Sequence, residues 1–534
     1  QAVDSLTFDG NLVISGGQLQ VFGDATINGD LTLSNYSSLS LLPGATSLTV
    51  TGTVTANSAT ISIGSGTASF PGLTTASYLT LWVSGTVNMP NLTSMDNSTV
   101  YAFSVWNAPS LATFTGGTYF GSGSNNTLPL LTNATDSLLD MEDGTQLHLP
   151  AITSYANTSF KALTFAGTGT LDAPLLQTFV NTGVKVSSGA SYTVPVGATF
   201  AWNQEFSANF LEASAGTIDA SALGDGDITF NCGACTYGTM TINISGAGAG
   251  VDLSGLTKVD WPGKKVFYVQ QSNGLDLSNV TETVSTEFNS SYAGSTISLP
   301  KLASMTGEGS KIYASSDGAI SAPLLTNLTA TDITAGGPLT LSALATIDDT
   351  FIQVYNAQTL SLPALTTLSN ASFSLLDGGA INASGVTALN NTVYQSLTAN
   401  GTVGFNLPVI SITNLIFTVN QSKSLSLSSL TSYTWNVTQP TYIFQANYSG
   451  GQLSLPNLTT INIDTGSAGT SYVLANYGGS ILMPSLTTIT LGTSDHLELG
   501  ANGTDALISV PALTTFDPLA VTFTELNGGT VTHP

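Results

Sequence analysis

A nine-residue motif with a central corner residue recurs along most of the chain. It occurs as LSLPALTTL at 360–368, LSLPNLTTI at 453–461, ILMPSLTTI at 481–489 and ISLPKLASM at 297–305. The corner is proline at 71, 90, 109, 129, 150, 174, 195, 300, 323, 363, 408, 456, 484 and 511, and serine at 221, 254, 278, 342, 384 and 428. Most spacings lie between 19 and 28 residues. Such a period is the sequence signature of a solenoid.

Within each repeat, apolar residues alternate with polar ones, as they do in β-strands. In LSLPALTTL, we expect Leu360, Leu362, Leu365 and Leu368 to share one buried face. Proline lacks an N–H and suits a corner between strands, and the glycine upstream suits a tight turn. The pattern predicts an all-β fold: a β-solenoid, of the β-helix or leucine-rich-repeat-like kind, with about twenty coils, parallel sheets and very little helix.

The repeat also suggests how the chain is divided. Residues 1–67 lack the corner motif but alternate like strands, so we interpret them as the N-terminal cap and first coils. Residues 68–534 are predicted to form one continuous β-solenoid, with an irregular stretch at 196–290 where the repeat is weakest.

The charge balance excludes several classes of partner. Only 7% of residues are charged, against the ~25% of an average protein, there is no arginine, and the net charge is -24. Nucleic acid and anionic membranes would be repelled. No apolar run reaches the ~18 residues of a membrane span, and Gln1 is the kind of residue exposed by signal-peptide cleavage. We therefore expect an extracellular or cell-surface protein without a transmembrane segment.

Glycosylation sequons support that localisation. The chain holds 19 Asn-x-Ser/Thr triplets, nearly twice the number expected from its 37 asparagines by chance. N-linked glycans would hydrate a surface that has few charges. The predicted sites are Asn35, Asn91, Asn97, Asn125, Asn133, Asn157, Asn243, Asn279, Asn289, Asn327, Asn370, Asn382, Asn390, Asn400, Asn420, Asn436, Asn447, Asn457 and Asn502.

Two cysteines occur in NCGACTYG. Cys232 and Cys235 could form a redox pair, half of a zinc site or a small disulfide. Zinc needs two further ligands, and the three histidines are distant in sequence, so we predict a local disulfide. The same irregular stretch contains Trp202, Glu205, Glu212, Trp261, Lys264, Lys265 and Tyr268. We expect either a loop excursion or a specialised patch there.

Acidic clusters are candidates for other chemistry. They lie in LLDMEDGTQLH, LGDGDITF and TIDDTF, and comprise Asp140, Glu142 and Asp143 near His148, Asp225 with Asp227, and Asp348 with Asp349. Paired carboxylates serve glycoside hydrolysis, and oxygen-rich turns bind calcium. Adjacent acids in turns normally face solvent, however, and the chain lacks the arginine that enzymes acting on acidic sugars use. We predict no catalytic residues, no metal and no cofactor.

A resemblance adds to this interpretation. The LPxLTxL repeat together with INGDLTLSN at 27–35 resembles the leucine-rich-repeat-like L domains of receptor ectodomains. It is more similar still to those of fungal cell-wall glycoproteins held by lipid anchors. The resemblance implies a surface-exposed or wall-associated glycoprotein built on a β-solenoid.

Together these features predict a structural glycoprotein. We expect a heavily N-glycosylated solenoid that self-associates, end to end through its open strand edges, into a wall layer, sheath or filament. One alternative is an adhesin or receptor-like ectodomain that binds a glycan or protein on a lateral sheet. It predicts an aromatic face free of sequons near 202–268. A second alternative is a carbohydrate-active β-helix enzyme acting on a neutral glycan.

Overall fold

The chain forms two compact units in a computed structural model. The structure describes residues 2–204, 207–231, 238–272, 274–401, 403–420, 424–438 and 442–534. Unit 1 comprises residues 1–257, 261–266 and 272–276, and unit 2 comprises residues 258–260, 267–271 and 277–534. Both units are parallel β-solenoids, and the chain makes about 23 coils in all. The prediction of an all-β solenoid is confirmed, and the described residues contain no helix.

Short strands make up unit 1. Its strands are β1 Ala2–Val3, β2 Leu6–Phe8, β3 Leu12–Ser15, β4 Gln18–Val21, β5 Ala25–Ile27, β6 Leu31–Ser34, β7 Ser37–Leu41, β8 Ser47–Val50, β9 Val54–Ile63, β10 Thr67–Ser69, β11 Leu73–Val83, β12 Thr86–Asn88, β13 Ser94–Asp96, β14 Thr99–Ala102, β15 Trp106–Asn107, β16 Thr113–Thr115, β17 Thr118–Gly121, β18 Asn125–Thr127, β19 Leu138–Met141, β20 Gln146–His148, β21 Ser154–Ala166, β22 Thr170–Asp172, β23 Thr178–Ser187, β24 Ser191–Thr193, β25 Thr199–Trp202, β26 Ala208–Ser214, β27 Thr217–Asp219, β28 Ile228–Phe230, β29 Thr239–Ser245 and β30 Gly250–Asp252.

Three strands occupy the part of the sequence where the units divide. They are β31 Lys258–Val259, which belongs to unit 2, β32 Lys264–Gln270, which has residues in both, and β33 Gly274–Asp276, which belongs to unit 1.

Unit 2 is likewise built from β-strands. They are β34 Glu282–Val284, β35 Thr286–Ser291, β36 Thr296–Ser298, β37 Ser304–Thr306, β38 Ser310–Ser315, β39 Ala319–Ser321, β40 Asn327–Thr329, β41 Thr331–Ala335, β42 Leu339–Thr340, β43 Thr346–Val354, β44 Thr359–Ser361, β45 Thr367–Leu376, β46 Ala380–Asn382, β47 Ala388–Asn400, β48 Gly404–Asn406, β49 Ser411–Asn420, β50 Ser424–Ser426, β51 Ser432–Trp435, β52 Tyr442–Asn447, β53 Gln452–Ser454, β54 Thr460–Ile463, β55 Gly469–Asn476, β56 Ser480–Leu482, β57 Thr488–Leu491, β58 Asp495–Asn502, β59 Leu507–Ser509, β60 Val521–Leu526 and β61 Thr530–Thr532.

The nine-residue motif forms the predicted corner. In LSLPALTTL, β44 ends at Ser361, a turn follows at Pro363 and Ala364, and β45 begins at Thr367. The Leu365 N–H donates to the Leu362 carbonyl at 3.2 Å and closes the turn. All four leucines of the motif are buried. The proline costs no ladder bond because it stands outside the strands.

The glycine pair that precedes many strands has two separate roles, as unit 2 illustrates. Gly478 has a φ of +87°, in the left-handed region that side chains disfavour. The next residue, Gly479, has ordinary backbone angles, but a Cβ there would lie 2.1 Å from the carbonyl oxygen of Ala446 on the preceding coil. The first glycine therefore adopts the left-handed conformation that the turn requires, and the second permits close stacking of coils.

Each unit has an apolar interior built from the inward residues of successive coils. In unit 1, Phe179 and Phe200 stack with ring centroids 4.6 Å apart, and in unit 2, Tyr433 and Phe444 meet edge to face at 4.7 Å. Each fully buried large apolar side chain contributes roughly 1.5–3 kcal/mol relative to an exposed one. Outward residues on neighbouring coils stand in register, which places side chains ~4.8 Å apart along the coils.

The predicted internal division of the chain stays a prediction. Residues 1–67 form strands β1 to β9 and the start of β10, paired in parallel like the rest. The stretch 196–290 contains three of the gaps in the described residues, at 205–206, 232–237 and 273. No helix in the described part of the chain is long and apolar enough to cross a membrane.

Candidate functional surfaces

Three of the acidic residues singled out from the sequence, Asp143, Asp225 and Asp348, accept hydrogen bonds from a neighbouring coil. Asp143 accepts hydrogen bonds from the backbone N–H and hydroxyl of Thr168, at 3.0 and 2.8 Å, and these bonds lower the pKa of its carboxyl. Asp225 accepts the backbone N–H of Thr257 at 2.8 Å. Such carboxylates fasten turns, which leaves them poorly suited to catalysis.

Asp227 and Asp348 also accept hydrogen bonds, Asp227 within its own turn and Asp348 from the next coil. Asp227 accepts the backbone N–H of Gly224 at 2.8 Å, and Asp348 accepts the hydroxyl of Ser369 at 2.6 Å. His148 does not join the acids that precede it in sequence, because its Nδ1 lies 3.0 Å from the carboxylate of Asp172 on the next coil. No group of three or more metal-ligating side chains gathers among the described residues.

Asp140 is different because it lies on the outward face of β19, with one carboxylate oxygen buried and without a hydrogen-bond partner. The pKa of its carboxyl is raised to about 6, chiefly by burial and further by the charge of Glu142, while Lys185 offsets part of this rise. Lys185 itself pairs with Glu212 at 3.3 Å. Asp140 is in register with Phe120 on the preceding coil, so it belongs to the same outward column as the aromatic side chains described below.

The two tryptophans of the irregular stretch do not form the exposed aromatic face that the adhesin alternative predicts. Trp202 and Trp261 are both buried. Lys265 is buried as well, and its ammonium group donates to the carbonyl oxygens of Trp261 and Gly263, at 2.6 and 3.0 Å. The prediction of an exposed aromatic face around 202–268 is therefore wrong for both tryptophans. The cysteines of the predicted disulfide, Cys232 and Cys235, lie outside the described residues, as does Glu205.

The predicted glycosylation sites differ widely in accessibility. One of them, Asn157, is 4% exposed, and its side-chain amide donates to the hydroxyl of Thr182 at 2.9 Å. Nine are exposed: Asn35, Asn91, Asn97, Asn125, Asn327, Asn382, Asn390, Asn436 and Asn457. Nine are half-buried: Asn133, Asn243, Asn279, Asn289, Asn370, Asn400, Asn420, Asn447 and Asn502.

Four of the half-buried sequon asparagines belong to a ladder in unit 2. This asparagine ladder consists of Asn400, Asn420, Asn447, Asn476, Asn502 and Asn527, one from each of six successive coils. Side-chain amides donate to the amide oxygen of the preceding coil at 2.6 to 3.1 Å. Neighbouring asparagines of the ladder are ~4.8 Å apart, so a glycan on one of them would have to fit beside the next. At Asn420 and Asn447, the two sequon asparagines that donate, the nitrogen used by the ladder is also the one to which a glycan would be attached.

An exposed group of aromatic side chains lies on the lateral sheet of unit 1. Trp82 on β11, Tyr101 on β14 and Phe120 on β17 stand in register on three successive coils. The rings of Trp82 and Tyr101 are 4.0 Å apart with 18° between their planes, and Phe103 lies 6.2 Å from Trp82. We call these four residues the aromatic stack.

The geometry of the aromatic stack leaves one broad face open. Nearly parallel rings at 4.0 Å must overlap face to face, because rings side by side in one plane would clash. Tyr101 thus covers one face of the Trp82 indole. On the other side the in-register residue is Ser62, whose side chain is too small to cover a ring. Trp82 remains 38% exposed.

Polar groups surround the aromatic stack. Thr80, Thr99 and Thr118 each lie two residues before an aromatic residue of the column on the same strand. Their hydroxyls form a second column parallel to the aromatic one. At the far end the next in-register residue after Phe120 is Asp140. A surface that combines an open indole face, hydroxyls and a carboxylate can bind a ligand with both apolar and hydroxyl-bearing faces.

Sequence reasoning missed this surface, although a signal was present. Trp82, Tyr101, Phe120 and Asp140 each lie eleven residues after a corner proline, at 71, 90, 109 and 129. No protein-family model matches the chain, and no curated protein matches it either. The fold and the surfaces above are therefore interpreted from their own chemistry.

Proposed function

We propose that this chain is an extracellular surface glycoprotein whose β-solenoid has a structural role in a wall layer, sheath or filament. One observation carries the proposal: the outward surface is built from neutral side chains that bond coil to coil, as in the asparagine ladder, and nine sequon asparagines are exposed on it. Such a surface gains its hydration from hydroxyls, amides and glycans in place of charges.

The repeat grammar adds support for the location. Its resemblance to the L domains of receptor ectodomains and of fungal cell-wall glycoproteins favours a surface-exposed or wall-associated protein. The chain would also tolerate an oxidising compartment, where Cys232 and Cys235 would form a disulfide. Self-association is part of the proposal because any solenoid has strand edges at its two ends that favour pairing.

Electron microscopy of native material, with and without enzymatic deglycosylation, tests the structural role. We expect regular filaments or sheets, and a mass decrease on deglycosylation that accounts for several N-glycans. Isolated monomers at high concentration would contradict self-association. An unchanged mass would contradict the glycoprotein assignment separately, so the two parts of the proposal can fail independently.

A second function, adhesion to a neutral polysaccharide, is favoured by the aromatic stack. The open face of Trp82 can pack on the C–H face of a sugar ring, and the column of threonine hydroxyls can bond its hydroxyl groups. The ligand should be neutral because Asp140 and the net charge of -24 repel polyanions. None of the four residues in the aromatic stack belongs to a sequon.

Cosedimentation with insoluble neutral polysaccharides tests adhesion. The purified full chain would be mixed with cellulose, chitin or β-1,3-glucan, and the bound fraction measured over a range of concentrations. Saturable binding that is weaker in Trp82→Ala supports the assignment. Binding to other proteins of the same surface, with no binding to any polysaccharide, would favour a protein partner and overturn it.

A further inference from the structure

A single glycine interrupts the outward surface of the last coils of unit 2. Strand β58 presents Glu498, Gly500 and Asn502 outward, while Leu497, Leu499 and Ala501 point inward and are buried. The in-register residues on β55 are Tyr472, Leu474 and Asn476, and those on β60 are Thr522, Thr524 and Leu526. Gly500 is thus the centre of a three-by-three array of outward residues, and it is the one position without a side chain.

A notch of about 230 Å³ borders Gly500. Its walls include Tyr472, Leu474, Glu498 and Thr524, and Tyr442 extends the wall on the coil before. A Cβ built on Gly500 would lie 2.7 Å from the end of the Leu474 side chain and 3.4 Å from Oε1 of Glu498. A carboxylate and an apolar side chain therefore border the same opening.

The glycine is not required by the backbone. Gly500 lies in mid-strand with ordinary backbone angles, so neither a turn nor a left-handed conformation explains it. Glycine inside a strand weakens the strand, and it often marks a place where another molecule approaches closely. Glu498 has no hydrogen-bond or ion-pair partner among the described residues. A carboxylate without a protein partner at the border of this notch suggests a binding site.

We propose that this notch binds one neutral sugar ring, as a site separate from the aromatic stack. The ring's C–H face would pack on Leu474 and the edge of Tyr472. Its hydroxyls would donate to the Glu498 carboxylate and exchange hydrogen bonds with Thr524. A carboxylate that accepts two neighbouring hydroxyls favours a neutral polyol and repels acidic sugars.

An organic cation is the other kind of ligand that a carboxylate near tyrosines attracts. Cation–π binding needs an open ring face. The rings of Tyr442 and Tyr472 are 5.1 Å apart and tilted by 39°, so each shields part of the other's face. The geometry therefore favours the sugar.

Ligand-observed NMR on the full deglycosylated chain tests the proposal, since Asn502 then carries no glycan. The probes are the methyl glycosides of glucose, mannose, galactose and N-acetylglucosamine, with choline as the cation. At least one glycoside should show saturation transfer from the wild-type protein. Gly500→Leu should abolish that signal by filling the notch. Glu498→Gln should weaken binding at least about tenfold, as expected for a lost charged acceptor.

Gly469→Leu is the matched control, because Gly469 lies in the neighbouring strand β55 and a Cβ there would meet nothing within 4 Å. It should bind like the wild type. Gly500→Leu should remain folded, since the atom it displaces is the mobile end of Leu474, and circular dichroism checks this. Equal sugar binding by Gly500→Leu and wild type would overturn the site, and so would binding of choline alone. Either result leaves the structural role and the aromatic stack untouched.

Discussion

The indole of Trp82 and the phenol of Tyr101 stack face to face across two neighbouring coils, with their ring centroids 4.0 Å apart. Stacked aromatic pairs contribute about 0.5–1.5 kcal/mol beyond their burial. Here the pair is on the surface, so its stabilising effect is modest and its exposed indole face is available for contact.

Trp82→Ala should weaken polysaccharide binding about tenfold while changing thermal stability little, because the side chain contacts a ligand more than the core. Cosedimentation isotherms of the variant and the wild type measure the difference. Tyr78→Gly is the control: Tyr78 is 58% exposed and lies outside the aromatic stack, and glycine accepts its φ of +52° without creating a sequon. If both variants lost binding equally, the aromatic stack would not be the site.

Asp140→Asn should change the pH dependence of stability. The raised pKa of about 6 means that the folded chain binds the Asp140 proton more tightly than the unfolded chain does, for which ~3.9 is typical. Ionised Asp140 therefore costs stability. The cost is absent below about pH 4, grows between pH 4 and 6, and is constant above.

At pH 7 the variant should be more stable than the wild type by about 1 kcal/mol, a value reduced for solvent screening of a half-buried group. At pH 4 the two should be equal. Thermal melts of the variant and the wild type at several pH values check this. A stability gain that is the same at pH 4 and pH 7 would contradict the role assigned to the Asp140 charge.

Gly479→Ala should destabilise unit 2 by about 2 kcal/mol or more, because a Cβ at this position would lie 2.1 Å from the carbonyl oxygen of Ala446 and the coils would have to separate. Gly469→Ala has open space around it and should be neutral or slightly stabilising. Hydrogen exchange of strands β52 and β55, compared between the two variants, locates the effect. Equal protection in both would show that the close approach is unimportant.

Glycan mapping should separate the sequons by accessibility. We expect high occupancy at the exposed asparagines, no occupancy at Asn157 and low occupancy at Asn420 and Asn447, whose amide nitrogens donate within the ladder. Enzymatic deglycosylation in heavy-oxygen water, followed by peptide mass spectrometry, measures each site. Full occupancy at Asn420 and Asn447 would contradict their hydrogen bonding in the mature protein.

The sequence predicted the fold because the corner motif carries its own geometry. Apolar alternation, the displaced proline and the glycine pair each constrain the backbone locally, so Leu360 to Leu368 could be placed without knowing their neighbours. The side-chain columns depend on a second quantity, the number of residues between in-register positions on successive coils. That number is 19 from Trp82 to Tyr101 but 26 from Leu474 to Gly500.

Coil length varies because corners and outer loops take insertions without disturbing the ladder. Register shifts within strands add to the difficulty, as between Ala156 and Lys161 where β21 pairs with β23. The constant spacing at 82, 101 and 120 exposes the aromatic column in the sequence, whereas the array around Gly500 has no such period. Its neighbours become visible only when the coils are stacked.

The asparagine ladder also has a direction. Its four side-chain hydrogen bonds, from Asn420, Asn447, Asn476 and Asn527, all donate from the later coil to the earlier one. From Asn400 to Asn476 the bonds are continuous, so the amide dipoles of these four residues align head to tail and each polarises the next. This part of unit 2 therefore carries an electrical polarity along its coils that its amino-acid charges do not create, with amide donors facing the Asn400 end and amide acceptors the Asn476 end.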